Sequence, residues 1–282
     1  MLGEPRAILF HTELEFLPID ELSFGKAFGR KLYAQMAQLP VETAYDNIEM
    51  TSSTITLSTD RSSSSRSSIE LRKHSLTIEE LKPDFEVETF QDIVSQILQA
   101  VRDVDHRCPP VVMQRCKIHC LAQPHNVRNS LDLLAGRVAS VMDKIDPFER
   151  PPSFFGVRFR FMPPEMFAHD HVDDGQGDAS EETTTDYQIT EVDDSTPRHH
   201  GSFVTMRFET YAQDIRQVWM EIASTYPVLP PIDLDSQNFD PILSNIDETY
   251  KFVTEKGRAF LGQFDVSDNE NKDDENEMGN AE

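Results

Sequence analysis

The chain has 282 residues, enough for one large or two small domains, and 38% of them are hydrophobic. Of its formal net charge of −24, residues 165–200 carry −10 and residues 265–282 carry −7, which leaves −7 for all other residues. Both segments are rich in like charge and poor in large apolar residues, so they are predicted to be a disordered acidic insertion and a disordered acidic tail. The low pI, near 4.6, argues against nucleic acid as a partner.

Cysteine usage and the N-terminal residues predict the compartment. Cys108, Cys116 and Cys120 form no even-numbered disulfide framework, so they are predicted to be buried, reduced thiols. The N-terminal residues lack the basic and then apolar order of a signal peptide, and no apolar run reaches the ~20 residues of a membrane span. A cytoplasmic protein without a membrane segment is therefore expected.

Residues 1–107 are predicted to form a first α+β unit. Apolar side chains recur at every second residue in its strands and at every third or fourth residue in its helices. A flexible serine-rich loop is predicted to join the second and third strands into a hairpin. In order, the predicted elements are a strand at 7–17, a helix at 21–39, strands at 47–58 and 68–78, and a helix at 89–105.

Residues 108–228 are predicted to form a second unit with the same order of elements. Its first and second strands are the least ambiguous, because apolar side chains alternate there with arginine, lysine and histidine. The acidic insertion separates two of its strands. In order, the predicted elements are a strand at 111–122, a helix at 129–145, strands at 153–162 and 201–211, and a helix at 214–226.

The predicted fold class is α+β, with two tandem β-α-β-β-α units whose helices lie on one face of an antiparallel sheet. The first strands of the two units are expected to pair edge to edge, as in proteins with a duplicated TATA-binding-protein-like topology, which is an analogy of element order alone. Residues 229–264 are predicted to be an extended linker and a closing helix that begins at Asp240, with proline in its first turn.

The stretch Ser68–Leu121 resembles an uncharacterised, sporadically distributed bacterial protein family. The shared pattern is a strand, a phrase ending in an aromatic residue, a helix of the form F..I...I..AV..V, and a following strand; here the helix reads TFQDIVSQILQAVRDV. The following strand departs from the family, which tends towards a Gly-Leu-Arg-Tyr-like phrase where this chain has RCKIHCLAQP. The family has no assigned activity, so the resemblance implies no functional residue.

The candidate site is the outward sheet face of the second unit, which carries cationic or titratable side chains on three strands: Arg115, Lys117, His119, Arg158, Arg160 and Arg207. One interpretation is an anion-binding or partner-binding surface. The favoured interpretation is that these groups pair with acids across the sheet, or with the acidic insertion, at only ~0.2–1 kcal/mol for each cross-strand pair. The acids proposed as partners are Glu13, Glu15, Glu49, Glu70 and Glu209. Whether the face is open or masked by the insertion stays an alternative.

No catalytic residue, cofactor or metal site is predicted. The sequence has no G-x-S-x-G, no H-E-x-x-H and no glycine-rich phosphate loop. Cys116 and Cys120 are predicted to face inward and His119 outward, which opposes a cysteine–histidine pair. The grouping around His169 and His171 lies in the predicted disordered insertion, where rigid metal ligands are not expected.

The favoured hypothesis is a cytoplasmic, non-enzymatic module that binds a protein partner, or a second copy of itself, through an exposed sheet face or the closing helix. It rests on the open sheet face and on the missing catalytic motifs. The alternatives are anion or nucleic-acid binding through the basic strand face, and an enzyme without a recognisable motif. Steep salt dependence of binding would distinguish the polyanion alternative from the protein-partner hypothesis.

Overall fold

The computed structural model describes residues 2–17, 26–39, 44–104, 108–144, 152–161, 203–236 and 238–267. In these ranges nine strands form one sheet in the order β2-β3-β4-β5-β1-β6-β9-β8-β7, and every neighbouring pair is antiparallel. The strands are β1 (Arg6–Phe16), β2 (Asn47–Met50), β3 (Thr54–Asp60), β4 (Arg66–Arg72), β5 (Ser75–Leu81), β6 (Val111–Ala122), β7 (Gly156–Phe161), β8 (Phe203–Thr210) and β9 (Val218–Ile232). The predicted acidic insertion lies outside the described residues.

The helical segments complete an α+β fold, as predicted. They are α1 (Lys26–Met36), α2 (Val87–Val104), a π-helix (Asp132–Val138), 3₁₀ turns (Met142–Lys144 and Leu234–Ser236), α3 (Asp240–Lys251), a π-helical stretch (Phe252–Gly257) and α4 (Arg258–Gly262). The last three are continuous and form the predicted closing helix, here called the C-terminal helix. None of the described helices is long and apolar enough to cross a membrane.

The helices pack on one face of the sheet, as predicted. Phe90 of α2 stacks on Phe10 of β1 with 5.1 Å between ring centroids, and the main-chain carbonyl of Ile242 in α3 accepts a hydrogen bond of 3.1 Å from Gln114 of β6. Phe10 and Gln114 are both fully buried, whereas His11, Met113 and Arg115 beside them on the opposite face are partly exposed. The strands therefore have one face in the core and one face towards solvent, because successive side chains alternate between faces.

The centre of the sheet is the ladder between β1 and β6. Ten residue pairs join the two strands, from Arg6 opposite Leu121 to Phe16 opposite Val111, with two irregularities of register. The predicted pairing of the first strands of the two halves is thus confirmed. Buried Gln114 connects this ladder to α3, since its amide also donates to Thr12 at 3.1 Å and accepts from Asn245 at 2.9 Å.

The helix predicted at 214–226 is wrong, because these residues belong to β9 and to the turn before it. Val218, Ile222 and Tyr226 are spaced by four, which suits one face of a helix and also one face of a strand. The residues between them distinguish the strand from the helix. Met220 is buried, whereas Trp219 and every second residue after it up to Pro227 are partly exposed, as in a strand. β9 runs on to Ile232 and so includes the start of the predicted linker.

Two stretches of the first half divide into four strands instead of two. The predicted mobile serine-rich loop is a tight hairpin at residues 61–65, closed by a hydrogen bond of 3.0 Å from the Arg61 N–H to the Ser65 carbonyl. The change of apolar phase between Leu71 and Leu76 marks a second hairpin, in which these two residues lie opposite each other. The described residues of the first predicted unit therefore contain five strands, whereas the predicted β-α-β-β-α order has three.

The helix predicted at 129–145 is shorter, with a π-helix at Asp132–Val138 and a 3₁₀ turn at Met142–Lys144. Ser140 between them has a φ of 49°, a left-handed conformation that interrupts a helix. At the other end of the chain, Asp265 is 1% exposed and accepts hydrogen bonds from the backbone N–H groups of His125 at 2.9 Å and Asn126 at 2.7 Å. The first residue of the predicted tail thus belongs to the fold, while residues 268–282 lie outside the described part.

Candidate interaction surface

All six predicted site residues lie on the face of the sheet opposite the helices, here called the open face. They occupy positions that alternate with buried residues of β6 and β8 or with the inward aromatic residues of β7. The register places them in cross-strand rows, because residues paired in an antiparallel ladder share a face. β6 carries Arg115, Lys117 and His119, β7 carries Arg158 and Arg160, and β8 carries Arg207.

Arg115 is neutralised by two carboxylates of β1. Its guanidinium lies 3.3 Å from Glu13 and forms a shorter hydrogen bond to Glu15. All three side chains are 31 to 43% exposed, so the pairs contribute little stability, but they cancel the local charge. This outcome matches the predicted pairing of the basic face with Glu13 and Glu15.

His119 and Arg207 meet acids in a compact cluster around Trp219. The His119 ring lies 2.8 Å from Glu221 and makes an edge contact with Trp219, at 4.7 Å between centroids. Arg207 lies over the same indole ring at 5.5 Å and is hydrogen-bonded to Glu209. The hydrogen bond from His119 lowers the pKa of the Glu221 carboxyl, and the charges of His119, a nearby lysine and Arg207 act in the same direction. Glu221 is therefore an anion within this cluster.

Lys117, Arg158 and Arg160 have no carboxylate within salt-bridge distance among the described residues. Arg158 is directly opposite Arg207, so two like charges are neighbours, and Arg160 lies over the Phe203 ring at 5.5 Å. The predicted set thus divides into three paired and three unpaired groups.

The row that joins Lys117 to Arg160 has small side chains at its centre. Lys117 lies opposite Ala223 of β9, Ala223 opposite Thr205 of β8, and Thr205 opposite Arg160 of β7. Three strand spacings separate Lys117 from Arg160, which places their Cα atoms about 14–15 Å apart across the sheet. The open face therefore has a shallow strip with a cation at each end and little side-chain bulk between them.

Glu221 and Trp219 are absent from the predicted site, because both lie in a stretch that was predicted to be a helix and instead belongs to β9. The alternation of Val218, Met220 and Ile222 with Trp219, Glu221 and the residue after Ile222 is the signal that finds them. A second histidine–glutamate pair was also missed: His11 of β1 lies 3.3 Å from Glu79 of β5. The hydrogen bond from His11 lowers the pKa of Glu79.

The arrangement gives no support for thiol catalysis. All three cysteines are free and buried, as predicted, and burial raises the pKa of Cys116 and of Cys120 to about 12. Cys116 and Cys120 face the core, whereas His119 lies on the open face. In the described part of the chain no group of three or more His, Cys, Asp and Glu side chains has the arrangement of a metal site. The histidines at 169 and 171 lie outside the described residues.

No family model matches the chain, and no curated protein matches it. The resemblance of Ser68–Leu121 to a bacterial family stays a prediction.

Proposed function

We propose that the protein is a non-enzymatic binding module that holds an acidic protein partner on its open face. The strip from Lys117 to Arg160 carries the proposal, because it combines unpaired cations with small residues that leave room for a partner. Charged residues around the strip, such as Arg115 and Arg207, are already paired with carboxylates. They contribute more to the orientation of a docked partner than to the free energy of binding. A cytoplasmic location is part of this proposal and agrees with the three buried, reduced cysteines.

The proposal includes an internal duplication with a TATA-binding-protein-like topology. In support, the strands lie in the order β5-β1-β6-β9 around the centre, so the first strand of each half is flanked by the last strand of that half. In further support, each half has a histidine–glutamate pair between those two strands, His11 with Glu79 and His119 with Glu221. The described residues of the two proposed halves contain five and four strands, so the proposed repeat unit is β-α-β-β-β-β-α, with one strand fewer in the described part of the second half.

The experiment is a comparison of partner binding by three purified chains: the wild type, Lys117→Glu, and Arg72→Glu as the control. Arg72 is an exposed arginine of β4, and its side chain is 64% exposed. Proteins captured by the wild type are identified, purified, and titrated against each chain by calorimetry. Lys117→Glu is expected to weaken a true partner on the order of tenfold, as for loss of a contacting charge, and Arg72→Glu to leave it unchanged. A partner that binds all three chains equally would contradict the proposal.

Anion or nucleic-acid binding is the second candidate, and the unpaired Lys117, Arg158 and Arg160 favour it. About three phosphate contacts would give a slope near −3 in a plot of log affinity against log salt for duplex DNA. Fluorescence titration of a mixed oligonucleotide pool between low and physiological salt measures this slope. Binding that is absent, or that does not respond to salt, would leave the protein partner as the remaining proposal.

A further inference from the structure

The edge of the sheet at β7 combines a free strand edge with an apolar cleft. β7 is the last strand in the described order and pairs only with β8. About half of the backbone N–H and C=O groups of such a strand point away from its neighbour and are available to another strand. Natural proteins usually protect such an edge, and in the described part of the chain no strand pairs with the outer edge of β7.

The cleft lies between the inward side of this edge and the C-terminal helix. Its volume is about 350 Å³, and its walls are Phe159, Phe161, Met206, Phe208, Phe252 and Phe260. The aromatic side chains of the walls contact one another across the cleft: Phe159 contacts Phe260, and Phe161 contacts Phe252, both at 5.3 Å between ring centroids. Phe161 is nevertheless 42% exposed, which is unusual for a phenylalanine that lines a preformed pocket.

Gly257 allows the C-terminal helix to lie close to β8 beside the cleft. A Cβ at this position would lie 2.1 Å from the terminal methyl of Met206, so the glycine allows the helix to approach β8 closely. The π-helical stretch that ends at Gly257 is wider than an α-helix and carries Phe252 to the mouth of the cleft. The helix therefore packs on β8 and β9, and it meets β7 through Phe252 and Phe260 at the cleft.

The opposite side of the same edge is cationic. Arg158 and Arg160 alternate with Val157 and Phe159 along β7 and are both exposed. Lys256 adds a third cation at the mouth of the cleft, 5.1 Å from the centre of the Phe252 ring. A segment that pairs with β7 would thus meet cations with one set of alternate residues and aromatic rings with the other.

We infer that β7 is a docking edge for an extended segment of a partner protein in which acidic and bulky apolar residues alternate. The segment adds a tenth strand to the sheet, its acids lie beside Arg158 and Arg160, and its apolar side chains fill the cleft. Symmetric pairing of β7 with β7 of a second copy is disfavoured, because it places arginine next to arginine. This inference uses the edge and the cleft, whereas the proposed function uses the strip at Lys117 and Arg160.

The test is fluorescence anisotropy with the full chain and a labelled eight-residue probe in which aspartate alternates with leucine or phenylalanine. The expected result is saturable binding that weakens on the order of tenfold or more in Phe161→Ser and in Arg160→Glu, since anchors and register-setting charges have effects of this size. Ile215→Ser and Arg72→Glu are the matched controls, because both side chains are more than half exposed and neither lies at β7. Both controls are expected to bind as the wild type does.

Two control probes test the alternation itself. One has the same composition with all aspartates before all apolar residues, and the other has lysine in place of aspartate; both are expected to bind at least tenfold more weakly. Equal binding of the ordered and block probes, no saturable binding, or unchanged binding by both edge variants would overturn the inference. Binding that appears only after residues 165–200 are deleted would also overturn it, because the protein's own segment would then occupy the edge.

The melting temperature of each variant shows whether it is folded. If Phe161→Ser does not fold, Arg160→Glu and its control Arg72→Glu still test the inference, because Arg160 is exposed. Lys117→Glu separates this inference from the proposed function. It is expected to leave probe binding unchanged while it weakens a partner on the open face.

Discussion

Replacement of Glu80 by glutamine tests the energetics of the buried polar cluster in the first half of the sheet. Glu80 of β5 is 1% exposed, accepts a hydrogen bond from Ser67, and lies 3.7 Å from the Arg61 guanidinium, too far for a hydrogen bond. The hydroxyl of buried Tyr45 lies 2.9 Å from the same serine. Burial raises the pKa of Glu80 from 4.5 to about 7, against the opposing effects of Ser67 and Arg61.

The sign of the pH effect follows from this direction. The folded state holds the proton more tightly than the unfolded state, so the stabilising contribution is present below pH 4.5 and is lost as the pH rises through about 7. The difference between the two pKa values corresponds to about 3 kcal/mol in the free energy of unfolding. Glutamine resembles the protonated acid, so Glu80→Gln is expected to remove this loss and to be more stable than the wild type at pH 8.

The assay is urea unfolding at pH 5, 6, 7 and 8, followed by the fluorescence of Trp219, the single tryptophan. Glu79→Gln is the control on the same strand, because the hydrogen bond from His11 lowers the pKa of Glu79 and its stabilising contribution is lost as the pH falls. The difference between wild type and Glu80→Gln cancels the background from all other acids. Parallel stability curves for these two chains between pH 5 and 8 would refute the reasoning.

Four further predictions concern the core, the C-terminal segment and the insertion. Cys116 and Cys120 are expected to resist a thiol reagent in the native protein and to react fully in urea, because burial keeps both thiols protonated. Asp265→Ala is expected to lower the free energy of unfolding by about 1–3 kcal/mol in urea titrations, since it removes two hydrogen bonds from backbone N–H groups to a buried carboxylate. Gly257→Leu is expected to lower the melting temperature measured by circular dichroism, because the added side chain meets Met206. Replacement of residues 165–200 by a short Gly/Ser turn is expected to leave the melting temperature unchanged, because the acidic composition of this segment predicts that it adds no core contacts.

Each of these predictions has its own control and its own contrary result. Rapid labelling of native thiols would show that the strand bearing them opens. A chain ending at residue 267 is the control for Asp265→Ala and is expected to keep the wild-type stability. Gly262→Leu is the control for Gly257→Leu, since a Cβ there meets nothing within 4 Å. If the insertion masks the open face, its removal is expected to strengthen heparin binding, and unchanged binding would remove the masking hypothesis.

The sequence predicted best those elements whose two faces differ in chemistry. β6 was predicted to its end residues, because cysteine and isoleucine alternate there with arginine, lysine and histidine. The prediction was wrong for β9, because its buried residues also satisfy helical spacing. As a result, Glu221 and Trp219 were not included in the predicted site. Beside the serine-rich hairpin, the burial of Ser67 depends on Tyr45, which lies just before β2, and on Glu80 of β5. Local pattern carries no information on such partners.

The ladder between β1 and β6 has a consequence for the synthesis of the protein on the ribosome. Phe10 faces Ile118, so β1 has to wait for about 100 further residues before its second neighbour leaves the ribosome. At about 5–20 residues per second, this interval lasts roughly 5–20 s. During it, β5 can cover one edge of β1 while the other edge remains free to pair with the wrong strand. Contacts of such long sequence separation also slow folding, so nascent chains stalled before β6 are expected to need chaperones more than the completed protein does.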